Sequence, residues 1–488
     1  MLSDCIKLLV NNLINISQIK DSMKHVIFTL ILFFSFNNFY AAEKQSIAYV
    51  SLNGNDKTNN GSKESPYRTI REALKNTNND ATIIIRGGDY NEQVNISEQT
   101  GRRSLIITSY SGELVRLLCG EKIDKAEKVS GFKKVLKQNV SSCSNSPLYK
   151  IFQHDIDDQT TLIQAKERHP LQRGKIYRCN STPLIHVSSI EEIESSEVPA
   201  FYYDEKTKTL YFSCAKGSDL SKNPIHLPIA NGLYGGNNEI SLNVIGIEIL
   251  YGGLNLSKCS GARIIDCAAK YAFAGGGFSY NMSVGIEFIR CEATRCFTSS
   301  GNGDGFNGHS SIITGSDPTA KHTTVSVIDC WSHDNYDDGY SNHERCEGTV
   351  RGGLFEYNHK FGVGSAFGAH EDVFDVISRN NDQFGFGITA DITENEGGYA
   401  SQMILHNCIS EGNKKVGYLA NTSNKNNVNY NSMLLFDCYS INNKVGFEIR
   451  DKTLLELVNC KDSGSETIYK GTPIIKSFDT LKKVIPLK

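Results

Sequence analysis

Apolar and polar positions follow a repeating order along the chain from about Val244 onward. Each unit has an apolar run of β-forming residues, often ending in cysteine, then a polar turn, then a glycine followed by an aromatic or apolar residue. Aligned copies place this glycine at Gly277, Gly305, Gly339, Gly362, Gly385, Gly417 and Gly446. The shortest interval of 23 residues accommodates three short strands and three turns without helical periodicity. The pattern therefore predicts an all-β chain, a right-handed parallel β-helix in which each coil pairs with the next.

Six cysteines fall at the same place in their coils. They are Cys267, Cys291, Cys330, Cys408, Cys438 and Cys460. A buried cysteine packs like a small apolar side chain, so we expect a column of thiols inside the tube. A metal or redox array is the alternative, but no histidine or second cysteine recurs beside them at ligand spacing.

The chain before this repeat divides into two further parts. Residues 43–121 contain a strand, a turn rich in glycine and asparagine, a short amphipathic helix and further strands, and they predict a cap and the first coils. Between 122 and 228 the repeat is lost, and FYYDEKTKTLYFSC predicts a β-hairpin within an inserted β-sandwich-like module. The β-helix is expected to continue over 229–475, and 476–488 to form a tail.

Residues 1–42 differ from the rest and predict a signal peptide. From Met23, the probable true start, one lysine precedes an apolar run of about ten residues and the small residues Ala41 and Ala42. No later segment is apolar enough to span a bilayer, so the expected location is secreted or periplasmic. Of fourteen cysteines, Cys5 precedes Met23, which leaves an odd number and at least one free thiol.

Net charge excludes one class of partner. The formal charge is only −3 over 488 residues, and no basic patch with interleaved aromatic residues is present in the sequence. Nucleic-acid binding is therefore not expected. The chain is expected to be a monomer.

Equal offsets from the repeating glycine should stack about 4.8 Å apart on adjacent coils. The position before the glycine holds Gly276, Asp304, Asp338, Phe361 and Phe384. The position four residues after it holds Asn281, His309, His343, Ala366 and Thr389. NGDGFNGH and YDDGYSNHE are therefore copies of one motif on adjacent coils, and the candidate site is expected over coils 300–370.

The aspartates of this motif are candidate metal ligands. Asp304, Asp334, Asp337 and Asp338 offer oxygen ligands of the kind that Ca²⁺ prefers. Neighbouring carboxylates repel unless they share a proton or a cation. The alternative is a set of solvated turn aspartates.

Histidines in register beside stacked carboxylates are suited to general acid–base chemistry. The candidate catalytic residues are His309, His343, Glu344, Arg351 and Lys360. The candidate substrate-binding residues are Asn307, Tyr340, Asn342 and His370. A purely structural polar ladder is the alternative.

The chain resembles secreted, pectate-lyase-like right-handed β-helices, which include polysaccharide lyases and β-helix glycoside hydrolases. HDNYDDG is similar to the aspartate cluster that binds calcium in family-nine pectate lyases, and FYYDEKTKTLYFSC to a hairpin in inserted modules of β-helix glycoside hydrolases. The resemblance implies calcium ligands at Asp304, Asp334, Asp337 and Asp338, and a lysine base for which Lys360 is the nearest candidate. The SNHE extension and the histidine column depart from that pattern.

Three functions stay open at this point. The first is a lyase that cleaves a uronate-containing polysaccharide by β-elimination, with His343 or Lys360 as base and Arg351 and a metal as electrophilic partners. The second is a glycoside hydrolase that pairs Asp304 or Asp338 with Glu344. The third is a non-catalytic glycan-binding or adhesin solenoid.

Overall fold

The computed structural model describes 46–96, 104–141, 143, 150–154, 162–164, 175–177, 181–229, 231–236, 241–273, 276–298, 303–310, 322–389, 400–422, 431–451 and 453–476. The predicted signal peptide and nearly all of the predicted tail lie outside these residues. Among the residues that are described, no helix is long and apolar enough to cross a membrane.

Three long sheets of parallel strands form the body of the molecule. Each strand pairs with the equivalent strand of the next coil, so the predicted parallel β-helix is confirmed. Sheet A contains Ser46–Val50, Asp80–Ile85, Ser104–Ser109, Ser241–Ile245, Arg263–Ile265, Ile286–Ile289, Thr324–Ile328, Glu347–Arg351, His370–Phe374, Gln402–His406, Asn431–Phe436, Thr453–Val458 and Ile474–Lys476. Sheet B contains Gly88–Tyr90, Val115–Leu118, Ile247–Leu250, Ala268–Lys270, Glu292–Thr294, Trp331–His333, Leu354–Glu356, Ile377–Arg379, Ile409–Glu411, Tyr439–Ile441 and Lys461–Ser463. Sheet C contains Val94–Asn95, Asn231–Gly236, Gly253–Ser257, Phe278–Asn281, Phe306–Gly308, Tyr340–Asn342, Phe361–Ser365, Phe384–Ile388, Val416–Ala420, Val445–Ile449 and Thr467–Lys470.

The repeating glycine lies at the corner where each sheet C strand begins, either directly before the strand or as its second residue. Register confirms the sequence alignment, because Phe278 pairs with Phe306 and Tyr340 with Val363, each one residue after its glycine. A Cβ at Gly362 would lie 1.9 Å from the Oγ of Ser378, so only glycine fits there. Because the corner has no room for a Cβ, glycine recurs there in the aligned coils, and the coil repeat can be recognised from its position.

Two ladders of side chains fill the interior beside this corner. The cysteine column is confirmed as buried free thiols at equivalent positions, with Cys460 partly buried at its end. A second ladder, which sequence reasoning missed, consists of Asn335, Asn358, Asn381, Asn413 and Asn443. From Asn358 onward, each amide oxygen accepts the backbone N–H and the side-chain N–H of the asparagine in the preceding coil, at 2.9 to 3.2 Å. The amide oxygen of Asn335, the first in the ladder, accepts the backbone N–H of Cys296 at 3.1 Å. An asparagine four residues before most of the corner glycines was the available signal.

The buried thiols should be chemically inert in the folded protein. Burial raises the pKa of Cys267 and Cys291 well above the usual value, and only a thiolate reacts readily with disulfide reagents. We expect Ellman's reagent at pH 8 to leave the buried cysteines of the column unmodified until guanidinium unfolds the chain. Rapid labelling of Cys267 or Cys291 in the native protein would contradict this packing.

The segment between the first coils and the main repeat forms separate sheets. An eight-stranded, mostly antiparallel sheet contains Glu121–Ile123, Ile225–Leu227, Ile151–His154, Ser181–His186, Ala200–Asp204, Thr209–Phe212, Leu136–Asn139 and Glu127–Lys128, and a two-stranded sheet contains Leu162–Gln164 and Lys175–Tyr177. The predicted hairpin pairs Tyr202 with Tyr211. Its buried residues pack in one cluster with Tyr251, Tyr271 and Phe297 of the β-helix. We propose that this segment is an inserted module.

Both described helices are short and capped. Ile70–Lys75 is the predicted helix near the start of the solenoid, and the side chain of Thr69 accepts the backbone N–H of Glu72. Ile70, Ala73 and Leu74 are buried in the main core. The other helix, Ile190–Ser195, lies within the inserted segment, and the side chain of Ser189 caps its beginning.

Candidate functional site

Two neighbouring strands of sheet C are flanked at both ends by titratable side chains. Phe306 of Phe306–Gly308 pairs directly with Tyr340 of Tyr340–Asn342. An aspartate lies two residues before each strand, and a histidine follows each strand directly. The register therefore places the two aspartates side by side and the two histidines side by side, as the alignment on the repeating glycine predicts.

Asp304, Asp337 and Asp338 form the carboxylate cluster at the beginning of these strands. One oxygen from each lies within 4.8 Å of the others. Asp304 accepts the backbone N–H of Asp338 at 3.0 Å and the side-chain amide of Asn307 at 2.5 Å. Asp338 accepts the backbone N–H of Phe361 at 2.9 Å. Backbone and amide donors therefore hold the converging carboxylates in place.

Burial and mutual repulsion disfavour ionisation of all three carboxyl groups together. Asp304 is 1% exposed, and burial, followed by the charges of Asp338 and Asp337, raises its pKa well above the usual value. Burial and the charge of Asp337 raise the pKa of Asp338 to about 7. Buried, converging carboxylates of this kind either retain a proton or bind a cation, and an all-oxygen donor set fits a hard cation such as Ca²⁺.

Lys360 forms an ion pair with the carboxylate cluster. Its Nζ lies 2.6 Å from Oδ1 of Asp337, and 44% of its side chain is exposed. Burial lowers the pKa of Lys360, but the ion pair with Asp337 and the charges of Asp338 and Asp304 outweigh that effect and raise it overall. Lys360 is therefore held as an ammonium by the same carboxylates.

His309, His343 and Glu344 form the histidine cluster at the other end of the two strands. The imidazole rings of His309 and His343 are stacked, with centroids 4.7 Å apart. Nδ1 of His309 lies 2.6 Å from Oε2 of Glu344. Burial, followed by the positive charges of His309 and Lys360, lowers the pKa of His343 to about 3. The ring of His343 is consequently neutral at physiological pH.

Ser341 connects the two clusters, and sequence reasoning missed it. Its Oγ lies 2.8 Å from Nε2 of His343 and also hydrogen-bonds to Asp338. An arrangement in which His343 donates to Ser341 and Ser341 donates to Asp338 satisfies all three groups. The signal was strand parity, because Tyr340 and Asn342 face the interior and Ser341 between them must face outward.

Asp334 is not brought to the carboxylate cluster, so its assignment as a metal ligand is corrected. It lies at the end of a sheet B strand with φ of 54°, and its Oδ2 is 2.7 Å from Nδ1 of His333. The other ring nitrogen of His333 is 3.1 Å from Glu292, and the ring stacks on Trp331 with centroids 3.8 Å apart. Asp334 is therefore a partly exposed partner of the buried His333 of sheet B.

Arg351 and His370 belong to sheet A, so the structure does not bring them to either cluster. Arg351 is exposed, with its guanidinium 4.5 Å from the ring centroid of Phe374. His370 is also exposed and its Nε2 lies 3.3 Å from the carbonyl oxygen of Ala400. The prediction grouped these residues with the clusters because they are close in sequence. Each coil contributes strands to three sheets, so segments that are close in sequence lie on different faces of the β-helix.

The interior position of Tyr340 and Asn342 corrects their assignment to substrate binding. Both are completely buried, and Asn342 donates to the Tyr340 hydroxyl at 2.7 Å. The Tyr340 hydroxyl donates to Glu371 at 2.7 Å. Asn307 faces the cluster but is 1% exposed, so its observed role is to hold Asp304.

Comparison with protein families gives one match near the beginning of the described chain. Residues 52–99 match a family described as proteins of unknown function (DUF1565). A relative in Bacillus subtilis (strain 168), the uncharacterized protein YwoF, is 33% identical over 105 residues. That match covers 21% of this chain and only 22% of the length of YwoF.

Several solved structures resemble the chain at low sequence identity. Pectate lyase Pel9A has a TM-score of 0.39 and 11% identity, and the match covers 86% of this chain and 79% of that one. A rhamnogalacturonan lyase has a TM-score of 0.41 and 12% identity, with 89% and 88% covered. XylC, in a complex with xylose, has a TM-score of 0.43 and 13% identity, with 82% and 75% covered. The resemblance to carbohydrate-active β-helix proteins is thus found again among solved structures.

Proposed function

We propose that this protein is a polysaccharide lyase that cleaves a uronate-containing chain by β-elimination. The observation that supports this most directly is the 2.6 Å contact between Lys360 and Asp337 at the edge of three converging carboxylates. A lyase needs a base near a group that neutralises the uronate carboxylate, because the transition state develops enolate charge. Lys360 would be the base, and a cation on the carboxylate cluster would be the neutralising group; Lys360 directly contacts this cluster.

Asp304, Asp337 and Asp338 would hold the divalent cation, for which Ca²⁺ is the proposed identity. A cation bound there supplies positive charge that attracts the uronate carboxylate and stabilises the enolate. Asn307 and the backbone N–H groups of Asp338 and Phe361 keep the carboxylates in position.

Lys360 is the proposed base. The negative charges of the carboxylates raise the pKa of Lys360 and favour its protonated form, whereas burial alone would lower that pKa. Neutralised carboxylates would leave burial as the dominant influence, which lowers the pKa of Lys360 and favours the free amine. Lys360 then takes the proton from the carbon beside the uronate carboxyl group. The electron pair forms the carbon–carbon double bond, the glycosidic oxygen leaves, and solvent supplies its proton.

His343 is a weaker candidate for the base. Its pKa of about 3 means that the imidazole is free of a proton but has little affinity for one. His343 also faces Ser341 at 2.8 Å, which engages one of its two ring nitrogens. We therefore place the proton transfer at Lys360 rather than at the histidine cluster.

Glycoside hydrolysis is the second candidate, and one observation favours it. A pKa of about 7 would let Asp338 act as a general acid. However, the oxygens of the cluster lie within 4.8 Å, closer than the roughly 5 to 9.5 Å that separates the carboxyl groups of most glycosidases. Glu344, the predicted second carboxylate, pairs instead with His309 at the other end of the strands.

Calcium affinity should depend on pH near neutrality. Protons and the cation compete for Asp338, whose pKa of about 7 lies above the usual value for aspartate. We expect the affinity to be complete above pH 8 and to fall by about tenfold for each pH unit below 7, if one proton is displaced. Calorimetric titration with CaCl₂ at pH 6 and pH 8 measures this. Equal affinity at the two pH values would contradict a cation at Asp338.

The proposed reaction can be tested with a panel of uronate-containing polysaccharides. Purified protein is incubated with each one, in the presence of calcium and separately with a chelator, while ultraviolet absorbance and reducing ends are followed. The proposal predicts a calcium-dependent rise in absorbance from the unsaturated product. New reducing ends without absorbance would instead establish hydrolysis, and binding without any product would establish a glycan-binding solenoid.

A further inference from the structure

The histidine cluster combines donor atoms that differ from those of the carboxylate cluster. One ring nitrogen from His309, one from His343 and one carboxylate oxygen of Glu344 all lie within 4.8 Å of one another. The side chain of His309 is 34% exposed, whereas that of Glu344 is only 10% exposed. The three donors thus converge at a partly enclosed place that solvent reaches from the side of His309.

We propose that His309, His343 and Glu344 form a binding site for a divalent transition-metal ion of the zinc and cobalt class. Imidazole nitrogen favours such ions, whereas the hard Ca²⁺ ion favours oxygen-only sets. Two histidines and one carboxylate are a recurrent ligand set for these metals, and water can fill the remaining positions on the exposed side. This inference does not depend on the proposed elimination.

Backbone structure on both sides fixes the two imidazoles. The backbone N–H of His343 donates to the carbonyl of Gly308 at 2.9 Å, and the hydroxyl of Thr323 donates to the carbonyl of His309 at 2.8 Å. Ser341 holds the ring of His343 through Nε2. Hydrogen bonds to the second ring nitrogen orient metal-ligating histidines in known sites. The backbones of both histidines and the ring of His343 are consequently held in place.

The backbone at Glu344 brings its carboxylate to the histidines. Glu344 and Arg345 have φ of 43° and 60°, so two consecutive residues other than glycine adopt the left-handed conformation. Such residues are disfavoured and persist where the surroundings hold them. This turn lets Oε2 of Glu344 reach Nδ1 of His309 at 2.6 Å.

Binding of Co²⁺ and Zn²⁺ to the purified full chain tests this site. Co²⁺ is titrated while the visible d–d bands are recorded, and Zn²⁺ binding is measured by calorimetry. We expect about one equivalent to bind with nitrogen and oxygen ligands, and Zn²⁺ to displace Co²⁺. His309→Gln, His343→Ala and Glu344→Gln should each weaken binding by at least about tenfold. Circular dichroism establishes folding, and His309, which is partly exposed and outside the hydrophobic core, provides a variant that does not disturb the core.

Two matched variants separate this site from other metal binding. His359→Ala removes an exposed histidine that pairs with Asp382 at 3.1 Å, and Asp304→Asn removes a member of the carboxylate cluster. Both should retain Co²⁺ affinity. The proposal is overturned if His309→Gln binds as tightly as the wild type, if no equivalent binds, or if near-ultraviolet thiolate bands show that cysteines hold the metal. Failure of the elimination assay with Co²⁺ binding intact would overturn only the proposed lyase.

Discussion

Lys360→Met is expected to reduce calcium-dependent β-elimination by about 10²- to 10⁴-fold, the usual contribution of a positioned acid or base. Methionine approximates the length of the lysine stem but cannot accept a proton. It also removes the ammonium that lies 2.6 Å from Asp337, so the carboxylates lose a competing cation. Calcium should therefore bind at least as tightly as in the wild type while kcat falls.

Lys414→Met is the matched control for Lys360→Met. Lys414 makes an ion pair of the same kind with an aspartate of another coil, since its Nζ lies 2.5 Å from Oδ1 of Asp382. That pair lies outside both clusters, and its loss should leave the rate of elimination unchanged. Initial rates of absorbance change at saturating calcium measure both variants. A Lys360→Met enzyme with wild-type kcat would contradict the role of Lys360 as base.

Glu371→Gln is expected to remove a large pH dependence of stability. Glu371 is 2% exposed inside the β-helix, and burial raises its pKa to about 8, although hydrogen bonds from Tyr340 and Asn342 oppose this. The unfolded chain ionises the same group near pH 4.3, so between these values the folded state holds one more proton. Its stabilising contribution is complete below about pH 4 and is lost as pH rises to 8. The wild-type free energy of unfolding should fall by about 2 kcal/mol between pH 6 and pH 8 from this group.

Urea unfolding at pH 6 and pH 8 measures the effect of Glu371→Gln. Glutamine has no proton to lose, so the variant should lack this part of the dependence and gain stability relative to the wild type as pH rises. Glu347→Gln is the control, because Glu347 lies on the neighbouring strand of sheet A but its side chain is exposed. Parallel pH profiles of the wild type and Glu371→Gln would show that Glu371 is ionised in the folded protein.

The fold could be predicted because the geometry of each coil requires particular residue types at fixed positions, and these residues repeat along the sequence. Only glycine fits the corner before sheet C, and a small apolar side chain fits the position that cysteine occupies. The asparagine ladder was less visible, since asparagine is also common in solvated turns. Its partners are asparagines 23 to 32 residues away, and they become evident only when the coils are in register.

The candidate site could be predicted in part, for the same reason. Register at one strand spacing makes neighbours of His309 and His343, and one carboxylate oxygen each of Asp304 and Asp338 lies within 4.8 Å of the other. Column positions do not reveal on which side of the strand a residue lies, and Tyr340 accordingly proved to be interior. They also do not reveal the sheet, which is why Arg351 lies elsewhere. The path of the chain around each coil determines both the sheet to which a residue belongs and the side of the strand on which it lies.

Mass spectrometry of the products from one defined uronate oligosaccharide, incubated with the wild-type protein and calcium, tests the central proposal most directly. Elimination moves no water into the products, so the masses of the two fragments should add up to the mass of the substrate. One fragment should also be lighter by one water than its saturated counterpart. Fragments whose masses together exceed the substrate by one water would contradict elimination and assign the carboxylates to hydrolysis.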